Sequence, residues 1–185
     1  MESDFLLEII HNNLWRANVE ELAKFVVHEQ FSLRELIDLT FHPKEQIGFK
    51  AAWNLENVYF YHRALFLKDA VYFLNSFSVQ QNPSARRHFL RILCFMTAKK
   101  ATSAEKEIID AYETSELVET IFGWLIEEKM AVAVKVFAIT SLANLAVKHD
   151  WIKDELLQTI DYLVDKESIA FFARAKQIRK QLASS

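Results

Sequence analysis

The amino-acid sequence predicts an all-α protein. Its 185 residues include 2 Gly and 2 Pro, so few positions can break a helix or form a tight turn. Neither Asn-Gly nor Asp-Gly, the dipeptides that favour two-residue β-hairpin turns, occurs in the chain. Hydrophobic residues make up 51% of the composition and recur at helical spacing, which provides the apolar surface for a buried helical core.

Three short helices are predicted before Pro43, each after a residue that can cap its first turn. Their caps are Ser3 or Asp4, Asn18 and Ser32, and the first two helices end near residues 12 and 29. Glu35 follows Ser32 by three residues and completes a capping box, so the third helix is predicted to begin there.

The next predicted helix runs from Pro43 to about His62 and organises the rest of the chain. Proline has no amide hydrogen to lose and has a fixed φ angle, which suits the first position of a helix. Further helices are predicted over 64–77, from Pro83 to about residue 96, from near Ser103 to 128 as two helices or one bent helix, and over 131–148, 151–163 and 168–182.

Three of these helices share an apolar pattern. If Ile47, Ala85 and Val134 are equivalent, the residues four positions later are Ala51, Phe89 and Ala138, and those eight positions later are Leu55, Leu93 and Leu142. Residues spaced by four lie on one face of a helix. A pattern that returns after 38 and then 49 residues predicts helical hairpins stacked side by side in an α-α superhelix. An irregular helical bundle is the alternative.

The motif Ala51-Ala52-Trp53-Asn54-Leu55-Glu56-Asn57 resembles the inner helix of armadillo repeats, and so does the segment 138–144. HEAT and armadillo repeats are helical hairpins that stack into a right-handed solenoid. Because the chain lacks the glycine turn and the clear three-helix unit of armadillo repeats, it resembles HEAT repeats more closely. The resemblance implies that residues 1–185 form a single HEAT-like domain, a solenoid of four to five helical hairpins.

In stacked hairpins the second helix of each pair lines the concave face, where side chains beside the core stripe can contact a ligand. The alignment makes Trp53 equivalent to Arg91 and Thr140, and Asn57 equivalent to Phe95 and Asn144. The resemblance to armadillo repeats implies that Trp and Asn four residues apart hold an extended peptide, whose backbone an amide can both donate to and accept from. The candidate binding residues are Lys50, Trp53, Asn57, Arg87, Arg91, Thr140 and Asn144. The alternative is that Trp53 fills the core and the asparagines are only solvated.

The charges of the chain are separated along the sequence, although they sum to −3. Residues 43–100 contain nine Lys or Arg and three Asp or Glu, a net charge of +6, whereas residues 101–128 contain one and eight, a net charge of −7. The cations on the proposed inner helices include Lys44, Lys50, Arg86, Arg87 and Arg91. This separation predicts a basic groove beside an acidic ridge, or else two ordinary solvated faces.

A basic concave surface would also resemble the HEAT-like DNA-alkylation-repair glycosylases, which cup duplex DNA. The residues for such a role would be Trp53, Trp124, Trp151, Asp69 and Asp154. Nucleic acid is nevertheless the less favoured partner, because phosphate binding needs many convergent cations and the chain is acidic overall. Self-association is a third possibility, through aromatic side chains expected to be exposed at Tyr59, Tyr61, Tyr72 and Phe73.

No enzymatic function is expected. Cys94 is the sole cysteine and lies in an apolar run that predicts burial, and the pair Glu8 and His11 is one Glu-x-x-His motif where a di-iron bundle needs two. We therefore expect no catalytic residue, no metal and no cofactor. The acidic N-terminus and the lack of an 18-residue apolar run favour a cytoplasmic protein without a membrane segment. The expected partner is a protein or peptide, bound by a monomer or a weak homo-oligomer.

Overall fold

The computed structural model describes residues 32–184, and within that range the chain forms ten α-helices and no β-strand. The helices are α1 (Leu33–Leu39), α2 (Glu45–Tyr61), α3 (Arg63–Leu67), α4 (Ala70–Asn75), α5 (Pro83–Met96), α6 (Ser103–Ala111), α7 (Ser115–Ile126), α8 (Val132–Leu145), α9 (Trp151–Val164) and α10 (Ile169–Ala183). The all-α prediction is confirmed for this part of the chain. The two helices predicted before residue 30, and the Glu8 and His11 motif, lie outside the described residues.

Reciprocal capping begins two of the helices. At the start of α1 the Ser32 amide donates to Glu35 Oε2 (2.6 Å) and the Glu35 amide donates to Ser32 Oγ (3.2 Å), as the sequence predicts. At the start of α6 the Thr102 amide donates to Glu105 Oε2 (2.7 Å) and the Glu105 amide donates to Thr102 Oγ1 (3.3 Å). The helix start predicted near Ser103 is therefore confirmed, with Thr102 as its cap.

Two predicted boundaries are wrong. Pro43 is not the first residue of α2, because the extended backbone of Lys44 intervenes and its amide donates to His42 Nδ1 (3.0 Å). The helix predicted over 64–77 is two helices, α3 and α4, separated at Lys68 and Asp69. Asp69 has a non-helical backbone and its carboxylate accepts a hydrogen bond from Arg34 Nε (2.6 Å), so this break serves the packing of α1.

The described chain divides into two compact units, with the boundary after Ile92 inside α5. Packed aromatic rings, in edge-to-face and tilted pairs, build the core of the first unit. The Phe73 ring lies 5.2 Å from Phe66, 5.3 Å from Phe77 and 4.9 Å from Phe89, measured between centroids, and all four rings are buried. These contacts join α3, α4 and α5 around a common centre.

A close contact positions α2 in the first unit. A Cβ added at Gly48 would lie 2.7 Å from the Thr40 carbonyl oxygen and 2.8 Å from Asn82 Nδ2. Asn82 Nδ2 in turn donates to the Glu45 carbonyl oxygen (2.8 Å), and Gln80 Nε2 donates to Thr40 Oγ1 (3.2 Å). The missing side chain of Gly48 therefore lets α2 approach the end of α1 and the loop before α5.

In the second unit α8 packs against α7, α9 and α10. The core residues are buried and apolar: Ile121, Leu125, Leu142, Ile160 and Phe171. Lys148, after α8, donates from Nζ to the carbonyl oxygens of Ile109 (2.6 Å), Asp110 (3.1 Å) and Tyr112 (2.9 Å). This single ammonium group thus satisfies three carbonyls at the C-terminal end of α6.

The predicted repeat register is confirmed at all nine aligned core positions. Each of them is at most 7% exposed: Ile47, Ala51 and Leu55 on α2, Ala85, Phe89 and Leu93 on α5, and Val134, Ala138 and Leu142 on α8. The three helices therefore turn the same sequence positions toward a core, as expected for the inner helices of a HEAT-like solenoid.

Candidate binding surface

One stripe of α2 is accessible to solvent along the length of the helix. Gln46 and Tyr61 are exposed, the latter at 73%, and Lys50, Trp53 and Asn57 between them are half-buried. Their spacing of three or four residues places them on one face. Phe49, Asn54 and Phe60 beside this stripe are also half-buried, and the rest of the helix from Ala51 to Tyr59 is buried. The stripe of α2 therefore presents one cation, two amides and two aromatic rings.

Asn57 uses part of its hydrogen-bonding capacity within its own helix. Its Nδ2 donates to the Trp53 carbonyl oxygen (2.7 Å), four residues earlier. Asn54 makes the same kind of bond to the Lys50 carbonyl oxygen (2.8 Å). Across residues 32–184 no partner is assigned to Asn57 Oδ1, so its acceptor and one N–H remain for a ligand. The bond to Trp53 fixes the orientation of the amide.

Beside this stripe lies a buried cluster that the sequence analysis missed. Glu56 is 3% exposed and its Oε2 lies 2.7 Å from Nδ1 of His88, which is also 3% exposed. Its Oε1 accepts a hydrogen bond from Arg91 Nη1. The Arg91 guanidinium lies over the Phe60 ring, 4.9 Å from its centroid, and the His88 ring lies 5.4 Å from that of Phe49. The cluster therefore connects α2 to α5.

The environment of His88 indicates which of its nitrogens carries the proton. Nε2 is buried and has no hydrogen-bond partner within the described range. A proton there would leave a buried donor unpaired, so we assign it to Nδ1, where it is donated to Glu56. The carboxylate then accepts from the imidazole N–H on one oxygen and from the guanidinium on the other. A buried acid is tolerated when its charge is paired in this way.

One sequence signal could have revealed this cluster. Glu56 directly follows the core residue Leu55, so the helical pattern places a carboxylate at the edge of the buried stripe. His88 and Arg91 are three residues apart and therefore share a face of α5. The spacing thus places an acid at the edge of α2 and two hydrogen-bond donors on one face of α5, which suggests that the three side chains could contact one another.

The cations of the predicted basic groove have different surroundings. Arg91 is paired with Glu56, and Arg86 Nε donates to the Gln80 carbonyl oxygen (2.9 Å). Lys44 and Arg87 are exposed. Some of these cations therefore bond to groups of the first unit itself. The net charge of the segment thus overstates the number of cations that a ligand could contact.

The two predicted site residues on α8 belong to the second unit. Thr140 Oγ1 donates to the Val136 carbonyl oxygen (2.7 Å). Asn144 Nδ2 lies 3.3 Å from both the Cys94 carbonyl oxygen and Thr97 Oγ1, and its Oδ1 accepts from Gln181 Nε2 (3.2 Å). Both the amide nitrogen and the amide oxygen of Asn144 are therefore hydrogen-bonded to other segments of the second unit, whereas the amide nitrogen of Asn57 bonds within its own helix.

Several residues considered for other functions have structural roles. Tyr59 and Phe73 are 0% exposed, so the expectation that they are exposed for self-association is wrong: the core of the first unit takes both rings. Trp124 is also buried. Asp69, considered for a DNA-repair site, pairs with Arg34, whose pKa this carboxylate raises by its hydrogen bond and its charge.

Cys94 is buried, as predicted, at 7% exposure. Its Sγ lies 3.2 Å from the Phe137 carbonyl oxygen and 3.1 Å from Ser141 Oγ. Burial raises the pKa of the thiol to about 12, because the charged thiolate is poorly solvated there. The thiolate is the reactive form, so this cysteine is a packing residue at neutral pH.

Two other kinds of feature are absent from the described residues. Over 32–184, no three His, Cys, Asp or Glu side chains come together in an arrangement that could hold a metal ion. None of the helices in that range is both long and apolar enough to cross a membrane.

A comparison with protein families gives one match. The model of the HEAT repeat domain matches residues 7–182, which is nearly the whole chain and includes both compact units. Neither the curated proteins nor the solved structures that were compared contain a match. The all-helical structure of residues 32–184 agrees with this match. The chain therefore belongs to the HEAT repeat domain family.

Proposed function

We propose that this protein is a non-enzymatic interaction module that binds a segment of another protein along the accessible stripe of α2. Trp53 and Asn57 form the centre of the contact, and Lys50, Arg87 and Arg91 flank it. Membership of the HEAT repeat family supports this proposal, because solenoid repeats commonly use their inner helices to bind other proteins.

The observation that carries the proposal is the surface of α2 between Lys50 and Tyr61. Trp53 is half-buried, so part of its surface is packed and part is accessible to solvent. Aromatic rings in this state provide much of the binding energy at protein interfaces. Asn57, one turn later, offers a fixed amide for the backbone of an extended segment.

Capture of binding proteins by the full chain tests this function. Wild-type protein, Trp53→Ala and Asn57→Ala are immobilised and exposed to an extract of the cells that produce the protein, and the bound proteins are quantified by mass spectrometry. We expect at least one protein to be depleted about tenfold or more by both substitutions, as for the loss of an interface hot spot.

Trp151→Ala provides the matched control. Trp151 is 47% exposed, lies in the second unit and stacks on Phe122 at 5.8 Å, so its removal also deletes an accessible indole. We expect this variant to retain the partners of the wild-type protein. The same captured proteins for wild-type protein, Trp53→Ala and Asn57→Ala, with circular dichroism showing all of them folded, would refute the proposed surface.

The proposal places this function in the cytoplasm. It rests on the one unpaired cysteine of the sequence, which is compatible with a reducing compartment. Fluorescence microscopy of the full chain fused to a fluorescent protein tests the compartment, and a signal confined to a secretory organelle would contradict it.

A further inference from the structure

We propose that Arg91 recognises a carboxylate of the bound segment, so that the partner is an acidic stretch of protein chain. This inference rests on the proposed function and specifies the chemistry of its ligand. It follows from how Glu56, His88 and Phe60 hold the Arg91 side chain.

The first step of the argument is the orientation of the guanidinium. Phe60 lies beneath its plane at 4.9 Å, and Glu56 accepts a hydrogen bond from Nη1. Glu56 is itself fixed by His88 Nδ1 at 2.7 Å. An arginine that is stacked on a ring and anchored at one nitrogen loses little conformational entropy when it binds a ligand.

The second step concerns the N–H donors of Arg91 that Glu56 does not use. The Arg91 side chain is 37% exposed, and in the part of the chain from Ser32 to Ser184 no acceptor is assigned to its Nε or Nη2. An arginine presents five N–H donors in a planar fork that matches a carboxylate in two-point contact. Glu56 and His88 are thus positioning residues, and the open edge of Arg91 makes the contact.

The third step is location. Glu56 and Phe60, the two α2 residues that Arg91 contacts, flank the turn that carries Asn57. Arg87 is exposed on α5 one turn before Arg91, on the same face of that helix. A segment lying on Trp53 and Asn57 would therefore have these two guanidinium groups beside it.

The number of available cations decides between two kinds of acidic partner. Residues 43–92, the part of the basic segment in the first unit, contain seven Lys or Arg and three Asp or Glu, a net charge of +4 that would attract acidic protein segments and nucleic acids alike. Nucleic acids gain affinity from many cations that contact successive phosphates. Here Arg91 is partly neutralised by Glu56 and the stripe itself offers an aromatic ring and an amide. A carboxylate on a peptide fits one directed guanidinium beside these groups.

The experiment selects peptides without assuming a sequence. A phage-displayed library of random twelve-residue peptides is selected on the full-length protein, and enriched peptides are measured by fluorescence anisotropy. We expect the enriched peptides to share Asp or Glu at a fixed position. Replacing that acid with Asn or Gln is expected to weaken binding about ten- to a hundredfold, the effect of losing a charge-assisted two-point contact.

Protein variants locate the contact. Arg91→Gln is expected to weaken binding of the acidic peptides to the same extent and to make the dependence of affinity on salt shallower. Arg91→Lys keeps a positive charge beside Glu56 and so protects the fold, but it removes the fork, and we expect it to bind the acidic peptides about tenfold less tightly than the wild-type protein. Arg179→Gln, which changes an accessible arginine paired with Asp161 in the second unit, is the control and should bind as the wild-type protein does.

The outcomes separate this inference from the proposed function. Enriched peptides that lack acids but need Trp53 would overturn the role of Arg91 and leave the proposed function in place. Acidic peptides that bind Arg91→Gln and wild-type protein equally would also overturn it. No enriched peptide, or a 20-base-pair DNA duplex that binds more tightly than any peptide, would overturn both proposals.

Discussion

Gly48 is the residue at which space matters more than helix propensity. Replacing it with alanine would normally favour a helix by about 1 kcal/mol. At this position the new methyl group would lie 2.7 Å from the Thr40 carbonyl oxygen. Because relief of such a clash costs about 1–3 kcal/mol, we expect Gly48→Ala to lower the free energy of unfolding by about 1–2 kcal/mol in urea denaturation.

Gly123 provides the matched control for that substitution. It is also helical, it is exposed, and a Cβ added there would meet nothing within 4 Å. Gly123→Ala should therefore raise the free energy of unfolding by about 0.5–1 kcal/mol. The same sign of change at both glycines would contradict the close approach of α2 to α1.

The buried thiol of Cys94 predicts a loss of stability at alkaline pH. Its pKa is raised to about 12 in the folded protein, whereas an unfolded cysteine ionises near pH 8.5. Between these values the unfolded chain loses a proton that the folded chain keeps, so unfolding becomes easier as the pH rises. The slope approaches about 1.4 kcal/mol per pH unit.

Cys94→Ser isolates this effect, because a hydroxyl does not ionise in that range and can bond to the same Ser141 oxygen. We expect the free energy of unfolding of the wild-type protein to fall relative to this variant above about pH 9, and the difference to be constant below about pH 8. A difference that stays constant up to pH 11 would show that the thiol is accessible to water.

The sequence predicted the burial of single residues but not the partners with which they pair. The burial of Cys94 and the accessibility of Trp53 follow from helical periodicity, which needs only positions along one helix. The pairing of Glu56 with Arg91 depends on two helices whose residues are 35 positions apart. Periodicity shows that Glu56 is near the core, but only the packing of α2 against α5 shows which cation it meets.

The C-terminal end of α6 depends on one side chain from another part of the second unit. Lys148 donates to three carbonyl oxygens there, which the helix itself leaves without a donor. Lys148→Met keeps the aliphatic stem and removes the ammonium group. We expect it to lower the free energy of unfolding by about 2 kcal/mol, measured by urea denaturation, since hydrogen bonds to charged groups contribute about that much.

An exposed lysine controls for the loss of charge. Lys176 lies on α10 and is exposed, so Lys176→Met should change the free energy of unfolding by less than about 0.5 kcal/mol. Equal losses for the two variants would mean that the three contacts of Lys148 contribute nothing beyond its charge.

Helices were predicted more reliably than their ends. Capping boxes mark the starts of α1 and α6 because both partners lie within four residues of each other. The break between α3 and α4 was missed, since the sequence from 64 to 77 contains neither Gly nor Pro. The bond from Arg34 to Asp69 joins residues 35 positions apart, and local sequence patterns carry no information about such a contact.

The complete chain was predicted as a stack of equivalent hairpins, and the nine buried positions of the register follow that prediction. The division into two compact units was not predicted. It depends on which helices contact one another, whereas the repeat pattern describes each helix separately. Repeat proteins gain stability from contacts between neighbouring hairpins, so a local substitution need not affect every hairpin equally.

This division predicts a regional response to a core substitution. Leu156 is 0% exposed in the second unit, and its replacement with alanine should cost about 2–5 kcal/mol. In hydrogen exchange measured by mass spectrometry, we expect Leu156→Ala to reduce amide protection mainly within residues 93–184. Leu55→Ala, at an equally buried position of the first unit, should affect mainly residues 33–92.

An even loss of protection along the chain in both variants would contradict this expectation. Such a result would mean that the two compact units unfold as one cooperative structure.

The burial of Cys94 also makes the protein convenient for spectroscopy. Maleimide dyes react with thiolates, and the sole cysteine of the sequence is held protonated at neutral pH. A new cysteine at an exposed position such as Ser84 would then be the one reactive group. A fluorophore could thus be attached near the start of α2, where Ser84 Oγ donates to the Glu45 carboxylate, without first removing the native thiol.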